Sequence, residues 1–217
     1  MKVGILGGGQ LGRMLLQAAA NYDVTTFVLE NDPHCPAAHL CHYFTKGDIN
    51  NYDAVYNFGK DLDALTIEIE SVNVDALEQL EKEGVKVYPT PAAIRIIKNK
   101  ILQKQFYTKN EIPTSEYHIT QTKLDVFNHI SFLPAVHKLG EGGYDGKGVQ
   151  VIHNESALEL AFNAPSVLEK KIDIQKEIAI IVAMNAKGET IIYPPAEMIF
   201  DPVYKITILE IGKVQMV

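Results

Sequence analysis

Two glycine-rich stretches carry the residue types that could hold phosphate groups. The first is residues 7–12, which fit the pattern G-x-G-x-x-G, and the second is residues 142–148, with Lys138 before it and Lys147 inside it. Backbone amides in such loops can surround phosphate oxygens, and lysine ammonium groups add positive charge. Because the second loop combines several glycines with two lysines, the pattern predicts a loop that covers the triphosphate group of a bound nucleotide.

The first loop has the position of a dinucleotide-binding turn. It follows the apolar run 2–7 and precedes apolar residues at helical spacing, and Glu30 ends the next apolar run. In dinucleotide-binding folds the pyrophosphate lies at the helix N-terminus and an acid binds the ribose hydroxyls. Taken alone, this pattern favours a nicotinamide-dependent oxidoreductase. A tight turn that binds another phosphate, or no ligand at all, is the alternative.

Two groups of charged residues follow predicted strands. Glu68 and Glu70 alternate with apolar neighbours, so both carboxylates are predicted on one face of a strand end, beside the first loop. Ligands of open parallel sheets gather at such carboxyl ends. Residues 169–172 end another strand, where backbone could meet an adenine edge while Glu177 binds a ribose. The common alternative for such charged strand ends is a solvated surface.

The composition is that of a soluble globular protein. The chain has 217 residues, 22% of them charged, and a net charge of −7. An acidic chain without a basic tail argues against non-specific binding to nucleic acid. No apolar run approaches the roughly 18 residues that span a bilayer, and the N-terminus lacks a signal-peptide pattern. We therefore expect a cytoplasmic protein with small-molecule partners, without nucleic acid or membrane.

The cysteines lie in a short segment that also contains histidines. Cys35 and Cys41 fall within residues 34–42, beside His34, His39 and His42. Two cysteines are too few for a disulfide framework, which fits a reducing compartment. The spacing matches neither the paired-cysteine zinc pattern nor a helical His-x-x-x-His pair. The preferred interpretation is a solvated loop after a strand.

The elements that must position these residues alternate between strand and helix. Predicted strands at 2–7, 24–30, 64–67 and 85–88 and helices after residue 10 and at 74–83 indicate a parallel, doubly wound sheet. Beyond the prolines at 89 and 91, the pattern predicts a helix at 92–110, strands at 132–138 and 149–152 around the second glycine loop, a short helix at 156–162, a strand at 166–170 and an antiparallel pair at 177–184 and 190–193.

In combination, these motifs resemble the 5-(carboxyamino)imidazole ribonucleotide synthases of purine biosynthesis, which belong to the ATP-grasp superfamily. The resemblance rests on residues 7–15, residues 66–70, Lys138 and residues 142–148, and it extends to about residue 201. It implies an α/β fold with a Rossmann-like pre-ATP-grasp domain at residues 1–90. A partial ATP-grasp domain of linker helix and α+β lid at 91–200 and an atypical tail at 201–217 follow.

The resemblance also implies a reaction. Enzymes of this family are ATP-dependent ligases that activate bicarbonate, through carboxyphosphate, and transfer the carboxyl group to the amine of aminoimidazole ribonucleotide. ATP and magnesium are the implied cofactors, and a homodimer is the implied assembly. Because family members are longer, the chain is expected to be truncated and impaired alone. The magnesium ligands are expected in the missing C-terminal part, with none within this chain.

Carried over by position, the resemblance implies three sets of residues. Tyr144 and Lys147 are the expected catalytic residues. The expected ATP-binding residues are Lys100, Lys138, Gly143, Tyr144, Asp145, Gly146, Lys147, Gly148, Val149, Glu169, Lys170, Lys171, Ile172 and Glu177. The expected substrate-binding residues are Gln10, Leu11, Glu68, Glu70 and Asp145. One departure is Asn99, which stands where the family usually has an acid.

Three other interpretations remain open at this point. Other ATP-grasp enzymes, such as the formate-dependent glycinamide ribonucleotide transformylase or biotin carboxylase, share the second loop, but residues 9–14 favour the synthases. An oxidoreductase would bind NAD and would leave residues 142–148 unexplained. A non-catalytic nucleotide-binding remnant would bind ATP without turnover.

Overall fold

The computed structural model of the chain describes residues 1–143, 147–201 and 206–211, and for residues 200–201 and 206–211 it describes the backbone alone. The chain divides into two compact units, Met1–Lys171 and Ile172–Val217. The domain boundaries predicted at residues 90 and 200 subdivide the chain differently and remain a prediction. In the described part of the chain, no helix is both long and apolar enough to cross a membrane.

The first unit begins with a five-stranded parallel sheet in the order β3-β2-β1-β4-β5. Its strands are β1 (Lys2–Leu6), β2 (Thr25–Glu30), β3 (Tyr43–Lys46), β4 (Ala64–Ile67) and β5 (Lys86–Tyr88). The helices are α1 (Gln10–Ala19), α2 (Tyr52–Gly59) and α3 (Val74–Lys82). The predicted doubly wound sheet is confirmed, and the sequence analysis missed β3 and α2.

Alternating side chains of the central strands fill two separate cores. Ile5 and Val28 pack on one face with Leu16 of α1, whereas Leu6 and Leu29 pack on the other face. This arrangement follows from the period of two in a strand, which sends successive side chains to opposite faces. The apolar runs of the sequence are therefore buried on both sides, as expected for a parallel sheet.

The predicted helix at 92–110 is two helices, α4 (Pro91–Lys98) and α5 (Lys100–Lys109). The break lies at Asn99, whose backbone is extended and whose side-chain oxygen accepts from the amides of Ile101 and Leu102. An asparagine that satisfies the free amides of a first turn starts a new helix. The single-helix prediction was wrong because this cap competes with continuation of the helix.

A four-stranded antiparallel sheet in the order β6-β9-β7-β8 completes the first unit. Its strands are β6 (Tyr117–Thr120), β7 (Ala135–Leu139), β8 (Val149–Ile152) and β9 (Ser166–Lys170). Helix α6 (Lys123–Phe127) and a short 3₁₀ helix at Glu155–Leu160 cover one face. The hairpin of β7 and β8 was predicted, whereas β6 was not.

The second unit contains two small antiparallel groupings of strands. One has the order β10-β13-β14, from β10 (Glu177–Ala179), β13 (Ala196–Asp201) and β14 (Ile206–Ile211), and the other pairs β11 (Val182–Met184) with β12 (Thr190–Ile192). The pairing of β11 with β12 was predicted. The sequence analysis extended it to residue 177, but β10 pairs with β13 instead.

A buried histidine lies in the antiparallel sheet. The ring of His137 is fully buried; its Nδ1 accepts from the amide of Phe162 at 3.2 Å, and its Nε2 lies 2.9 Å from Thr120 Oγ1. Because Nδ1 accepts, Nε2 carries the proton and donates to Thr120, which donates to the carbonyl of Ser166 at 3.4 Å. Burial lowers the pKa of His137 from 6.5 to about 4.

We expect this ring to make the protein less stable in mild acid. Below pH 6.5 the unfolded chain binds a proton at His137 that the folded chain excludes until about pH 4. Stability from this group is therefore complete above pH 6.5 and falls by about 3 kcal/mol between pH 6.5 and 4. Urea unfolding of His137→Gln at pH 7 and 5 should show a weaker pH dependence than wild type, whereas the exposed His153→Gln should not. Equal dependence in His137→Gln and wild type would refute this assignment.

Candidate functional site

The second glycine loop joins the paired strands β7 and β8. Its neck is closed by a hydrogen bond from the amide of Leu139 to the carbonyl of Gly148 at 2.9 Å. The backbones of Gly143 and Gly148 lie so close that a Cβ on Gly143 would be 2.3 Å from the Cα of Gly148. Lys147 is exposed, and Val149 opens β8 opposite Lys138. The predicted site residues Tyr144, Asp145 and Gly146 lie outside the described residues.

Lys138 extends from β7 towards the neighbouring strand β9. Its Nζ lies 2.9 Å from Oε2 of Glu169, and both side chains are largely shielded from solvent. In the register of the two strands Glu169 faces Val136, so Lys138 and Glu169 are diagonal neighbours on one face of the sheet. The structure thus brings together two of the residues predicted to bind the nucleotide.

Lys100 is held beside the same loop by its backbone. It is the first residue of α5, after the Asn99 cap, and its amide donates to the carbonyl of Gly140 at 2.7 Å. The Nζ of Lys100 is 3.5 Å from the carbonyl of Gly142. The side-chain amide of Asn99 donates to Glu141 Oε1 at 2.8 Å. The asparagine that departs from the family pattern therefore both starts α5 and ties it to the loop.

A cavity of about 130 Å³ lies between the loop and the carboxyl end of β4. Its lining residues are Glu70, Ser71, Ile97, Lys98, Lys100, Gly142 and Gly143. Glu70 was predicted to bind the substrate, and Lys100 and Gly143 to bind ATP. Lys98 was missed by the sequence analysis, and its Nζ donates to the carbonyl of Val72 at 2.6 Å. Residues of both predicted sites therefore line one cavity, and their binding roles remain predictions.

The amides of the first glycine loop are bound by carboxylates of the chain itself. The amide of Leu11, in the first turn of α1, donates to Glu68 Oε1 at 3.3 Å, and the amide of Gly8 donates to Glu30 Oε2 at 3.0 Å. A pyrophosphate at this helix N-terminus would meet the negative charge of Glu68. The carboxylate of Glu30, which the dinucleotide-binding interpretation assigns to a ribose, accepts from the amides of Gly8 and Asn31.

Close packing leaves no room for a side chain at Gly8. An added Cβ would lie 2.3 Å from Cys35 Sγ and 3.1 Å from Glu30 Cγ. We expect Gly8→Ala to cost about 2 kcal/mol of unfolding free energy, as in other overpacked cores. Because the main clash is with the sulfur, Gly8→Ala should cost less in a Cys35→Ala background, measured by urea unfolding of the four proteins. An equal cost in both backgrounds would contradict this explanation.

The other predicted substrate residues lie around the first loop. β4 ends at Ile67, so Glu68 and Glu70 lie in a bend and not on one face of a strand. That prediction was wrong, because the chain turns before the acids and sends the Glu68 carboxylate to α1. Gln10 and Leu11 begin α1 and are exposed.

The predicted adenine-binding segment spans the boundary between the two units. Lys170 is the last residue of β9, and its Nζ donates to the carbonyl of Phe132 at 2.8 Å. Lys171 follows and is exposed. Ile172 and Glu177 belong to the second unit, where both are exposed. Their contacts with adenine and ribose remain predictions.

The segment with cysteines and histidines packs against the first sheet. Cys35 and Ala37 are buried beside α1, and His42 Nδ1 accepts from the amide of Thr26 at 3.1 Å. The interpretation as a solvated loop was therefore wrong for Cys35 and Ala37, whereas most of the other residues of the segment are exposed. Among residues 1–143, 147–201 and 206–211, no group of three His, Cys, Asp or Glu could hold a metal ion.

Two family models together match most of the chain. Residues 1–98 match the ribonucleotide synthetase pre-ATP-grasp domain, and residues 105–209 match the ATP-grasp domain. The second match extends into the segment that the sequence analysis separated as a tail. Together with the α/β fold and the lysine-flanked glycine loop, these matches define an ATP-grasp protein.

Individual relatives narrow this class further. The N5-carboxyaminoimidazole ribonucleotide synthase of Staphylococcus epidermidis is 30% identical over 204 residues, which is 90% of this chain and 53% of that protein. The N5-carboxyaminoimidazole ribonucleotide synthetase structure from Thermotoga maritima is 34% identical with a TM-score of 0.81, covering 90% of this chain and 53% of its own. Over most of its length, the chain is similar to the N5-carboxyaminoimidazole ribonucleotide synthases.

A third relative was solved with ligands. The N5-carboxyaminoimidazole synthase of Aspergillus clavatus, in complex with ADP and 5-aminoimidazole ribonucleotide, is 30% identical with a TM-score of 0.83, over 99% of this chain and 58% of that one. The chain spans between 20% and 53% of the length of the curated relatives it matches. The oxidoreductase interpretation receives no support from these relatives.

Proposed function

We propose that the chain binds ATP beside the second glycine loop and takes part in the carboxylation of aminoimidazole ribonucleotide with bicarbonate, a step of purine biosynthesis. The observation that carries the proposal is the cavity that Lys100, Gly143 and Glu70 line together. A phosphate-binding loop and a carboxylate that can meet an amine thus line one space. The relatives named above support the choice of substrates.

The chemistry requires two bonds to form in turn. An oxygen of bicarbonate attacks the γ-phosphorus of ATP and ADP leaves; the amine nitrogen then attacks the carboxyl carbon and phosphate leaves. Lys100 and Lys138 supply positive charge for the phosphoryl oxygens, and the loop amides donate to them. Closure of the loop would exclude water, which protects a reactive acyl phosphate from hydrolysis. We assign Tyr144 and Lys147 to this closing segment, as the resemblance implies.

Magnesium is the metal that ATP-grasp chemistry implies. Among the described residues, no three His, Cys, Asp or Glu side chains come together. Magnesium at a nucleotide is usually held by one or two carboxylates together with phosphate oxygens and water, and Glu70 lines the cavity. We assign no step of the reaction to the metal.

Two finer proposals rest on the family alone. We propose a homodimer and a cytoplasmic location, as in the sequence analysis. Light scattering of the purified chain tests the first, and a monomer at all accessible concentrations would contradict it.

The deciding experiment is calorimetric titration of the chain with ATP, with and without magnesium, and with NAD as the comparison ligand. We expect heat from ATP and none from NAD. Binding of NAD without binding of ATP would overturn the proposal. Release of ADP that depends on both bicarbonate and aminoimidazole ribonucleotide then shows whether the chain alone completes the reaction, or binds nucleotide without turnover.

A further inference from the structure

Lys104 is a buried lysine for which the proposed reaction has no direct use. It lies on α5, and only 6% of its surface is exposed. An ammonium group without partners is costly to bury, so a lysine in such a place must be paired. Its position on a helix beside the nucleotide site raises the question of what its charge does there.

The ammonium group of Lys104 has two hydrogen-bond acceptors and one ion-pair partner. Lys104 Nζ lies 2.5 Å from Thr114 Oγ1 and 3.2 Å from Ser115 Oγ, in the segment that precedes β6. It also lies 3.4 Å from Oε1 of Glu169 on β9. The ring of Tyr117 is 5.5 Å away. Lys104 thus connects α5 to strand β9 and to the segment that precedes β6.

The carboxylate that Lys104 binds is the one that holds Lys138. Glu169 offers Oε1 to Lys104, and its Oε2 lies 2.9 Å from Lys138 Nζ and accepts from Ser115 Oγ at 3.3 Å. One negative charge therefore faces two positive charges. Because Lys104 neutralises the negative charge of Glu169, the positive charge of Lys138 can attract an anion. Without Lys104, Glu169 would pair fully with Lys138 and compete with a bound phosphate.

The same helix also carries the second lysine of the site. Lys100 lies four residues before Lys104 on α5, so the two are neighbours on one face of the helix. The contact between Lys104 and Glu169 joins this helix to β9, and Glu169 in turn contacts Lys138 of β7.

We propose that Lys104 is a positioning residue, which fixes and neutralises Glu169 so that Lys138 and Lys100 face the phosphates of the nucleotide. This inference rests on the proposed function. It assigns Lys104 no contact with ATP. Its effect should therefore fall on the phosphates of the nucleotide and not on the nucleoside.

The test compares Lys104→Met with wild type in titrations with ATP and with adenosine. Methionine keeps the apolar stem of the side chain and removes the charge. We expect ATP affinity to fall about tenfold, as for loss of a single charge-assisted contact, and adenosine affinity to stay unchanged. Lys109→Met, on the exposed end of the same helix, is the matched control and should bind both ligands like wild type.

A second arm places Lys104→Met in a Glu169→Gln background. If Lys104 acts through Glu169, its removal should now change ATP affinity less than threefold. Equal losses for ATP and adenosine, or a tenfold loss in both backgrounds, would show a merely structural role and overturn the inference. Unchanged ATP affinity in Lys104→Met would overturn it as well. A wild-type chain that fails to bind ATP overturns the proposed function, and this role of Lys104 with it.

Discussion

Replacing Lys138 by methionine is expected to weaken ATP binding about 30-fold, the equivalent of roughly 2 kcal/mol for a charge-assisted hydrogen bond. The variant loses the positive charge beside the second glycine loop that Lys104 leaves available for an anion by compensating Glu169. Calorimetric titration with ATP measures the loss directly.

Lys123 offers a matched control for this substitution. It lies on α6 of the same unit and pairs with Glu159 at 2.5 Å, away from the glycine loop. Lys123→Met removes the same charge from the chain, so it should change ATP affinity less than twofold. If Lys123→Met weakened ATP binding as much as Lys138→Met, the effect would be one of net charge and the assignment of Lys138 would be wrong.

Replacing Gly143 by alanine is expected to disrupt the neck of the second glycine loop and to lower ATP affinity at least about tenfold. The residue has a φ of +75°, and its added Cβ would lie 2.3 Å from the backbone of Gly148. A left-handed conformation alone costs an alanine about 1 kcal/mol. The backbone contact cannot be relieved by turning a side chain, so the two strands of the hairpin must separate. Amide exchange at Leu139, which donates to Gly148, should become faster.

Gly142 serves as a control that distinguishes the cost of backbone strain from the cost of a steric clash. Gly142 has a φ of +73°, but an added Cβ there would have no atom of the described residues within 4 Å. Gly142→Ala should therefore show only the conformational cost, with a smaller loss of ATP affinity and normal exchange at Leu139. Equal behaviour of the two variants would mean that the contact between Gly143 and Gly148 does not matter for the site.

The sequence predicted elements best where apolar periodicity is strong. Strand β4 was predicted at its observed residues, 64–67, and the hairpin around the second glycine loop was also predicted. Strand β3 was missed because it lies at the edge of the sheet and is mostly exposed, so it lacks a buried apolar pattern. The break at Asn99 was missed because an asparagine can either lie within a helix or cap one.

The part of the candidate site that could be predicted from the sequence is the part whose residue types indicate phosphate binding by themselves. Glycines and Lys138 pointed to a phosphate site without knowledge of the fold. Lys104 could not be found in this way, because a lysine on a helix usually faces solvent and its burial depends on Glu169, which is distant in sequence. The direction of the Glu68 carboxylate was equally hidden, since it depends on where β4 ends relative to α1.

The carboxylates beside the first glycine loop bear on how such motifs are interpreted. The pattern of glycines specifies a strand, a turn and a helix whose amides point outward, and this geometry is present here. Glu68 Oε1 accepts from the amide of Leu11 at the start of that helix, so the chain brings a negative charge of its own beside the loop. A glycine fingerprint thus predicts the backbone conformation of the loop. Whether the loop amides are free to bind a ligand depends here on Glu68, the residue that follows β4.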